Sequence, residues 1–254
     1  MLQELYIWAL SRASASARSA GLVYEAAAIA GRYRRNRKHW QAHTNTVKRI
    51  ISEKLKLADA DKPIMLLGAG LGLDIPFTAL NNHPAGAILV DAVLTPQMRS
   101  QIRRFKNLSF RCIDITGFLA PFWQNNVGEK ITPPTLAPIS LANCSMVISC
   151  NILSQLPLNF TNSPPVGDTE IRITAAIQHA HMHALKELNC PILLITDYER
   201  IETQDGEETR VATVPVPLLP SEPLEEWLWD IAPCGELGKN KSSRLKVGAW
   251  LFGR

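Results

Sequence analysis

Residues 64–74, Ile64-Met65-Leu66-Leu67-Gly68-Ala69-Gly70-Leu71-Gly72-Leu73-Asp74, run from an apolar stretch into a glycine-rich turn. A turn built from Gly68, Ala69, Gly70 and Gly72 lets the backbone bend sharply and approach a ligand with few β-carbons in the way, which is what holding a nucleoside requires. Nineteen residues after Gly72, the apolar run 87–90 ends in Asp91. An acid at that spacing, closing the second strand of a βαβ unit, accepts hydrogen bonds from a ribose. Ligands in open α/β sheets lie beyond the carboxyl ends of the strands, so the polar residues after the later apolar runs join the shortlist. These are Asn151, Ser154 and Gln155 after residues 145–149, and Asp197 closing 191–196. Asn151 and its neighbours suit hydrogen bonding to a substrate, although Asn and Ser also initiate turns and cap helices. Asp197 suits a base or an acceptor-orienting group, and equally a loop acid.

The elements that must position these groups follow from periodicity. Short apolar runs predict parallel strands at 64–67, 87–90, 109–113, 145–149 and 191–197. Asp74 is the expected N-cap of the helix after the first strand, with Pro76 in its first turn and Phe77, Ala79 and Leu80 following. A second helix is expected over 171–188, with Ile173, Ile177, Ala180, Ala184 and Leu188 on one face. Irregular Pro-rich loops are expected at 124–138 and 157–168. Residues 2–57 read as two or three helices, in which Val47, Ile50, Ile51 and Leu55 recur at helical intervals. Near the C-terminus, residues 226–231 and 245–252 are strand-like and too close for an intervening helix, so they should pair as an antiparallel hairpin. The stretch between Asp197 and Trp227 is poor in helical signal. Two units result, a helical extension over 1–60 and an α/β unit over 61–254.

The glycine spacing separates two cofactor classes. A dinucleotide fingerprint needs G-x-G-x-x-G, but Leu73 stands where its third glycine belongs and Gly72 comes one position early. The G-x-G-x-G pattern resembles motif I of the class I S-adenosylmethionine-dependent methyltransferases. Asp91 matches that family's ribose acid, and Asp114, after Ser109-Phe110-Arg111-Cys112-Ile113, matches its acid near the adenine amino group. The resemblance implies an α/β Rossmann-like fold with a mostly parallel seven-stranded sheet in the order 3-2-1-4-5-7-6, closed by an antiparallel C-terminal hairpin. It also implies S-adenosylmethionine as cofactor, held by Gly68, Ala69, Gly70, Gly72, Asp74, Asp91, Asp114 and Asn151. The N-terminal helices become a lid over the acceptor, which makes His43 a candidate general base beside Asn151 and Asp197. One departure stands out: the family usually carries an acid two residues before the first glycine, and here that residue is Leu66. Asp74 is the nearest substitute. An Asn- or Asp-Pro-Pro-Tyr/Phe motif is also lacking, which turns the reading away from amide or exocyclic amino acceptors and toward a small molecule or lipid-like metabolite.

Composition sets the outer bounds. With 254 residues, 46% of them hydrophobic, the chain can bury one large core. A net charge of +4 does not demand a nucleic-acid partner. Cys112, Cys144, Cys150, Cys190 and Cys234 form no C-x-x-C pair, and with no apolar run long enough to span a bilayer they suggest a cytoplasmic protein. Residues 11–20 are rich in Ser and Arg without acids, as transit segments are, but Glu4 and Glu25 flank them. His179 and His183 fall on the solvent side of their helix and His181 toward the core, so the three cannot converge on one metal. Arg32, Arg34, Arg35, Arg37 and Lys38 form either a solvated helix face or a grip on an anionic partner. The rival readings are an NAD(P)-dependent oxidoreductase, for which no Tyr-x-x-x-Lys pair is present, and a non-catalytic binding protein that keeps the fold.

Overall fold

The computed structural model describes residues 2–117, 119, 143–160 and 167–253. The expected loop at 124–138 and part of that at 157–168 lie outside the described residues. In chain order come helix α1 (Leu2–Leu10), the two-residue strand β1 (Arg12–Ala13), α2 (Ala15–Ser19) and the long α3 (Leu22–Lys54). The α/β unit follows with β2 (Ile64–Leu67), α4 (Phe77–Asn81), β3 (Ala87–Asp91), β4 (Val93–Leu94), α5 (Pro96–Ile102) and β5 (Leu108–Cys112). It continues with β6 (Met146–Cys150), α6 (Asp168–Lys186), β7 (Ile192–Gln204), β8 (Glu207–Ala212), β9 (Glu225–Ala232) and β10 (Lys241–Phe252).

The main sheet runs β5-β3-β2-β6-β7-β10-β9. Its first five strands are parallel, and β10 is antiparallel to both β7 and β9. Leaving β8 aside, this is the order 3-2-1-4-5-7-6, the topology of the class I methyltransferase fold. A reversed last strand slotted between the fifth and sixth is what the C-terminal hairpin required. The expected seven strands gain an eighth: β7 runs past Asp197 to Gln204 and folds back as β8, which pairs with its outer half. This β-extension occupies the stretch that lacked helical signal. Asp197 therefore lies within a strand and does not end one, and the expected boundary at 197 is corrected by the pairing of β7 with β10 beyond it.

Alternation along the central strands sorts the core into two layers. Ile64 and Leu66 face one side with Leu89, Met146, Ile148, Leu193 and Ile195, where Trp40, Val47, Ile50 and Ile51 of α3 cover them. Met65 and Leu67 face the other side with Val90, Val147 and Leu194, beneath Met182 and Leu185 of α6. Leu66 is thus a fully buried core residue at the position where the resembling family carries an acid. The inner face of α6 is Ile173, Ile177, Gln178, His181, Met182 and Leu185, whereas Ala180 and Ala184 are only partly covered. The expected stripe was rotated because larger side chains, rather than alanines, seek the deepest contact.

α3 is continuous in hydrogen bonding across a break at Asn36, whose φ of −111° and ψ of 20° leave the helical region. Beyond that break its C-terminal half lies against β9: the Trp40 indole donates to the Ile231 carbonyl at 3.0 Å. Trp40 also meets Trp229 edge-on at 4.9 Å. The basic run is partly spent within the chain, since Arg35 pairs with Glu236, and Arg34 with Glu4 at 3.1 Å. β1, inside the Ser- and Arg-rich segment, pairs with β4 and ties that segment to the α/β unit.

Candidate functional site

The glycine turn is shaped by three different demands. Gly68 (φ 83°) sits where a β-carbon would lie 2.5 Å from the Cys150 carbonyl, so it must be glycine for β6 to pass close by. A β-carbon on Gly72 (φ 74°) would press on Phe77 at 2.7 Å. Gly70 (φ 48°) is different, because a β-carbon there would meet nothing within 4 Å. Its backbone alone requires glycine, and the space beside it is open.

The turn is tied to the neighbouring strand by the acid that the spacing singled out. Gly70 N–H donates to Asp91 Oδ2 at 2.8 Å, and Val93 N–H donates to Asp91 Oδ1 at 3.0 Å. With the Ala92 N–H as a third donor, three of the four acceptor sites of the carboxylate are engaged and one remains. Burial raises the Asp91 pKa, opposed by the donors from Gly70, Val93 and Ala92. Asp114 is engaged locally: Oδ1 accepts from the Thr116 backbone at 2.9 Å and its hydroxyl at 2.6 Å, and Oδ2 from Leu119 N–H at 2.9 Å. Its carboxylate shapes the turn after β5.

A second group assembles where β2 and β6 end. Asp74 does not cap a helix. The following helix begins only at Phe77, with Pro76 at its cap and no side-chain capping bond. The Asp74 carboxylate turns instead toward β6 and accepts from the Asn151 amide at 2.7 Å. The Cys150 thiol lies 3.9 Å away on the same oxygen, and burial beside that carboxyl raises the thiol pKa well above its usual value. Asn151 itself is left-handed (φ 50°), a conformation asparagine tolerates better than most residues. The amide also reaches His43 Nε2 at 3.3 Å.

His43 is held by two tryptophans. Its ring stacks on Trp229 at 3.9 Å and 8°, and the Trp227 indole donates to Nδ1 at 3.0 Å. Burial lowers its pKa to about 3, so the ring is neutral near pH 7. An indole N–H is only a donor, so Nδ1 accepts and the ring proton sits on Nε2. That N–H faces the Asn151 amide. Turning the amide by half a rotation places its oxygen between His43 Nε2–H and a protonated Asp74, an arrangement that satisfies both. Burial raises the Asp74 pKa in the direction this needs. In either orientation one amide atom of Asn151 is buried with no hydrogen-bond partner among the described residues.

Asp197 belongs to another cluster. Buried in β7, it accepts from the Ser154 hydroxyl at 2.5 Å, and its pKa is raised by desolvation. On the α6 side of the sheet, Ser149 and His181 pair at 2.9 Å, with the His181 pKa lowered to about 4 by burial. His181 thus turns inward as its helical phase required, while His179 and His183 are exposed. Among the described residues no group of three or more His, Cys, Asp or Glu could hold a metal.

The structure therefore brings together His43, Asp74 and Asn151 in one group, and Gly70 with Asp91 in another, and leaves Asp197 with Ser154. Sequence reasoning missed Trp227 and Trp229. The signal was present, because strand alternation through Glu226-Trp227-Leu228-Trp229 puts both indoles on one face. What it lacked was the knowledge that α3 covers that face.

No protein-family model and no curated protein sequence matches this chain. Among solved structures it is similar to the 1,6-didemethyltoxoflavin-N1-methyltransferase of Burkholderia thailandensis, crystallised with 1,6-didemethyltoxoflavin and S-adenosylhomocysteine. The identity is 14%, the TM-score 0.43, and the match covers 94% of this chain and 91% of that one. It is also similar to the N-terminal domain of EvdMO1 with S-adenosylhomocysteine bound, at 14% identity and a TM-score of 0.42, over 81% of this chain and 79% of that one. PKMT2 from Rickettsia typhi, in complex with the same ligand, matches at 12% identity and a TM-score of 0.31 over 55% of this chain. The match spans about a fifth of its length, 21%. At such distances the fold rests on this chain's own strand order and register.

Proposed function

We propose that this chain is an S-adenosylmethionine-dependent methyltransferase acting on a small-molecule acceptor. The observation that carries the reading is the bond from Gly70 N–H to Asp91 Oδ2, which joins a G-x-G-x-G turn to the acid ending the adjacent strand. It sits in a sheet whose last strand is reversed. The residues fit the cofactor: open space beside Gly70, a remaining acceptor site on Asp91 for a ribose hydroxyl, and an unpartnered amide atom on Asn151.

When bound, S-adenosylmethionine supplies an electrophilic sulfonium methyl for in-line attack by an acceptor atom. The chain's own part is mostly alignment, since such a transfer needs proximity more than a strong acid or base. Asp91 orients the ribose and Gly70 gives it room. Asn151, locked by Asp74 on one side and His43 on the other, presents its remaining amide atom at a fixed position. His43, neutral and with Nδ1 already accepting from Trp227, serves as a hydrogen-bond donor through Nε2. Asp114 keeps the turn after β5 in place beside the adenine.

The test is calorimetric titration with S-adenosylmethionine, S-adenosylhomocysteine and NAD, on the wild type and on Asp91→Ala. The expected result is about micromolar affinity for both sulfur nucleosides, weakened by at least about tenfold in the variant, with no NAD binding. Absence of sulfur-nucleoside binding overturns the proposal, and binding of NAD alone establishes the oxidoreductase reading in its place. Binding of the nucleosides without methyl transfer to any acceptor would make the chain a non-catalytic member of the fold.

A further inference from the structure

Helix α1 exposes what a soluble helix normally hides. Leu5 (59% exposed), Tyr6 (51%), Trp8 (53%) and Leu10 (48%) point outward, and Ile7 alone among the described side chains of the helix is fully buried, against Ala27 and Ala30 of α3. One turn before Ala27, Tyr24 is 70% exposed. Lone exposed apolar side chains are ordinary, but four on one nine-residue helix with a fifth nearby make a patch, and such patches mark interaction sites.

The surroundings of that patch are cationic. At the C-terminal end of α1, the Arg99 guanidinium donates to the Leu10 carbonyl at 2.8 Å, and that of Arg18 to the Ser11 carbonyl. Arg12 is exposed two residues beyond the helix, and Arg34 lies at the other end beside Glu4. The asymmetry extends through the whole N-terminal unit. Residues 1–60 hold eleven Lys and Arg against four Asp and Glu, whereas residues 61–254 hold sixteen against nineteen. Positive charge is thus concentrated in the unit that displays the apolar helix.

We propose that α1 docks this protein on an anionic lipid surface, lying in the plane of the interface. Leu5, Trp8 and Leu10 enter the acyl boundary, Tyr6 and Tyr24 sit at headgroup level, and Arg12, Arg18 and Arg99 meet the phosphates. Aromatic side chains with one polar edge suit that boundary, and arginines at its rim keep their heads in water while their stems cover apolar surface. Nine residues of helix rise only about 14 Å, too short to cross a bilayer, which agrees with the lack of any membrane-spanning helix among the described residues. A second copy of the chain is a poorer occupant, because a two-fold contact through α1 would set one arginine rim against another.

The experiment is co-sedimentation of the full chain with vesicles of phosphatidylcholine and phosphatidylglycerol in equal parts, and with vesicles of phosphatidylcholine alone. Sedimentation velocity without lipid is run beside it. Partitioning onto the anionic vesicles should exceed that onto neutral ones by at least about tenfold and should weaken as salt is raised. The double variant Leu5→Ser/Trp8→Ser, checked for an unchanged thermal midpoint, should lose at least about tenfold in partitioning. Replacing Arg12 by Glu gives an independent arm, with the apolar patch intact and anionic preference reduced. Equal binding to both vesicle types, no binding, or variants that bind like the wild type would overturn the proposal. So would a dimer in solution that Leu5→Ser/Trp8→Ser dissociates.

Discussion

At the scale of single residues, two buried histidines give the protein a defined response to acid. His43 and His181 have pKa values lowered to about 3 and about 4 by burial, from 6.5. A histidine whose folded-state pKa is depressed is protonated first in the unfolded chain, so stability falls as pH drops below 6.5 toward the folded value. Each site should cost about 2 kcal/mol between pH 7 and pH 5. Asp74, Asp91 and Asp197 act in the opposite sense, because raised carboxyl pKa values make the folded state take up protons first. A difference measurement removes their contribution. Urea unfolding of the wild type and His181→Gln at both pH values should show the wild type losing about 2 kcal/mol more on acidification than the variant. Parallel losses would mean that His181 is not held neutral against Ser149.

At the scale of elements, the glycine turn makes two substitutions of the same kind behave differently. Gly68→Ala drives a β-carbon onto the Cys150 carbonyl in a left-handed conformation, so a loss of at least about 3 kcal/mol is expected, together with nucleoside binding. Gly70→Ala has the left-handed cost alone, about 1–2 kcal/mol, since its β-carbon enters open space. The variant should therefore fold, with its midpoint lowered by a few degrees, and yet bind S-adenosylmethionine poorly, because the methyl occupies room that the ligand needs. Thermal melts with paired calorimetry separate the two. A Gly70→Ala protein with undiminished affinity would show that the nucleoside does not lie against that turn. The turn was legible in the sequence as a pattern of glycines, but its division of labour was not, because it depends on which strand passes behind each α-carbon.

At the scale of the whole molecule, the C-terminal half of α3 is part of the core. Trp40, Val47, Ile50 and Ile51 share one apolar layer with Ile64, Leu66, Leu89 and Trp229. Removing residues 1–60 would uncover that layer and leave His43 missing from between Trp229 and Asn151. The expected outcome is a chain without a cooperative thermal transition, exposing enough apolar surface to bind a hydrophobic dye. Each large side chain uncovered forfeits about 1.5–3 kcal/mol. Removing residues 1–10 alone should leave a cooperative transition, since among its described side chains α1 contributes only Ile7 to the fully buried set. A cooperatively folded chain lacking 1–60 would make the helical extension a true lid, separate from the α/β unit.

What the sequence determined by itself was local or near-local in origin. Apolar runs bounded by turns made β2, β3, β5 and β6 legible to within a residue, and the glycine spacing singled out the turn and the acid, Asp91, that the structure joins at their carboxyl ends. The close spacing of two strand-like runs near the C-terminus required a hairpin, and with it the reversed last strand. Only the tertiary structure decided what depends on meetings between distant segments. Asp74 looked like a helix cap from its neighbours, but β6 brings Asn151 to within 2.7 Å, and that partner wins. Asp197 looked like the end of a strand until β10 paired with the residues beyond it. His43 is one histidine in a long helix, and its neutral state arises from Trp227 and Trp229, some 180 residues away: burial by residues so remote in sequence has no local signature.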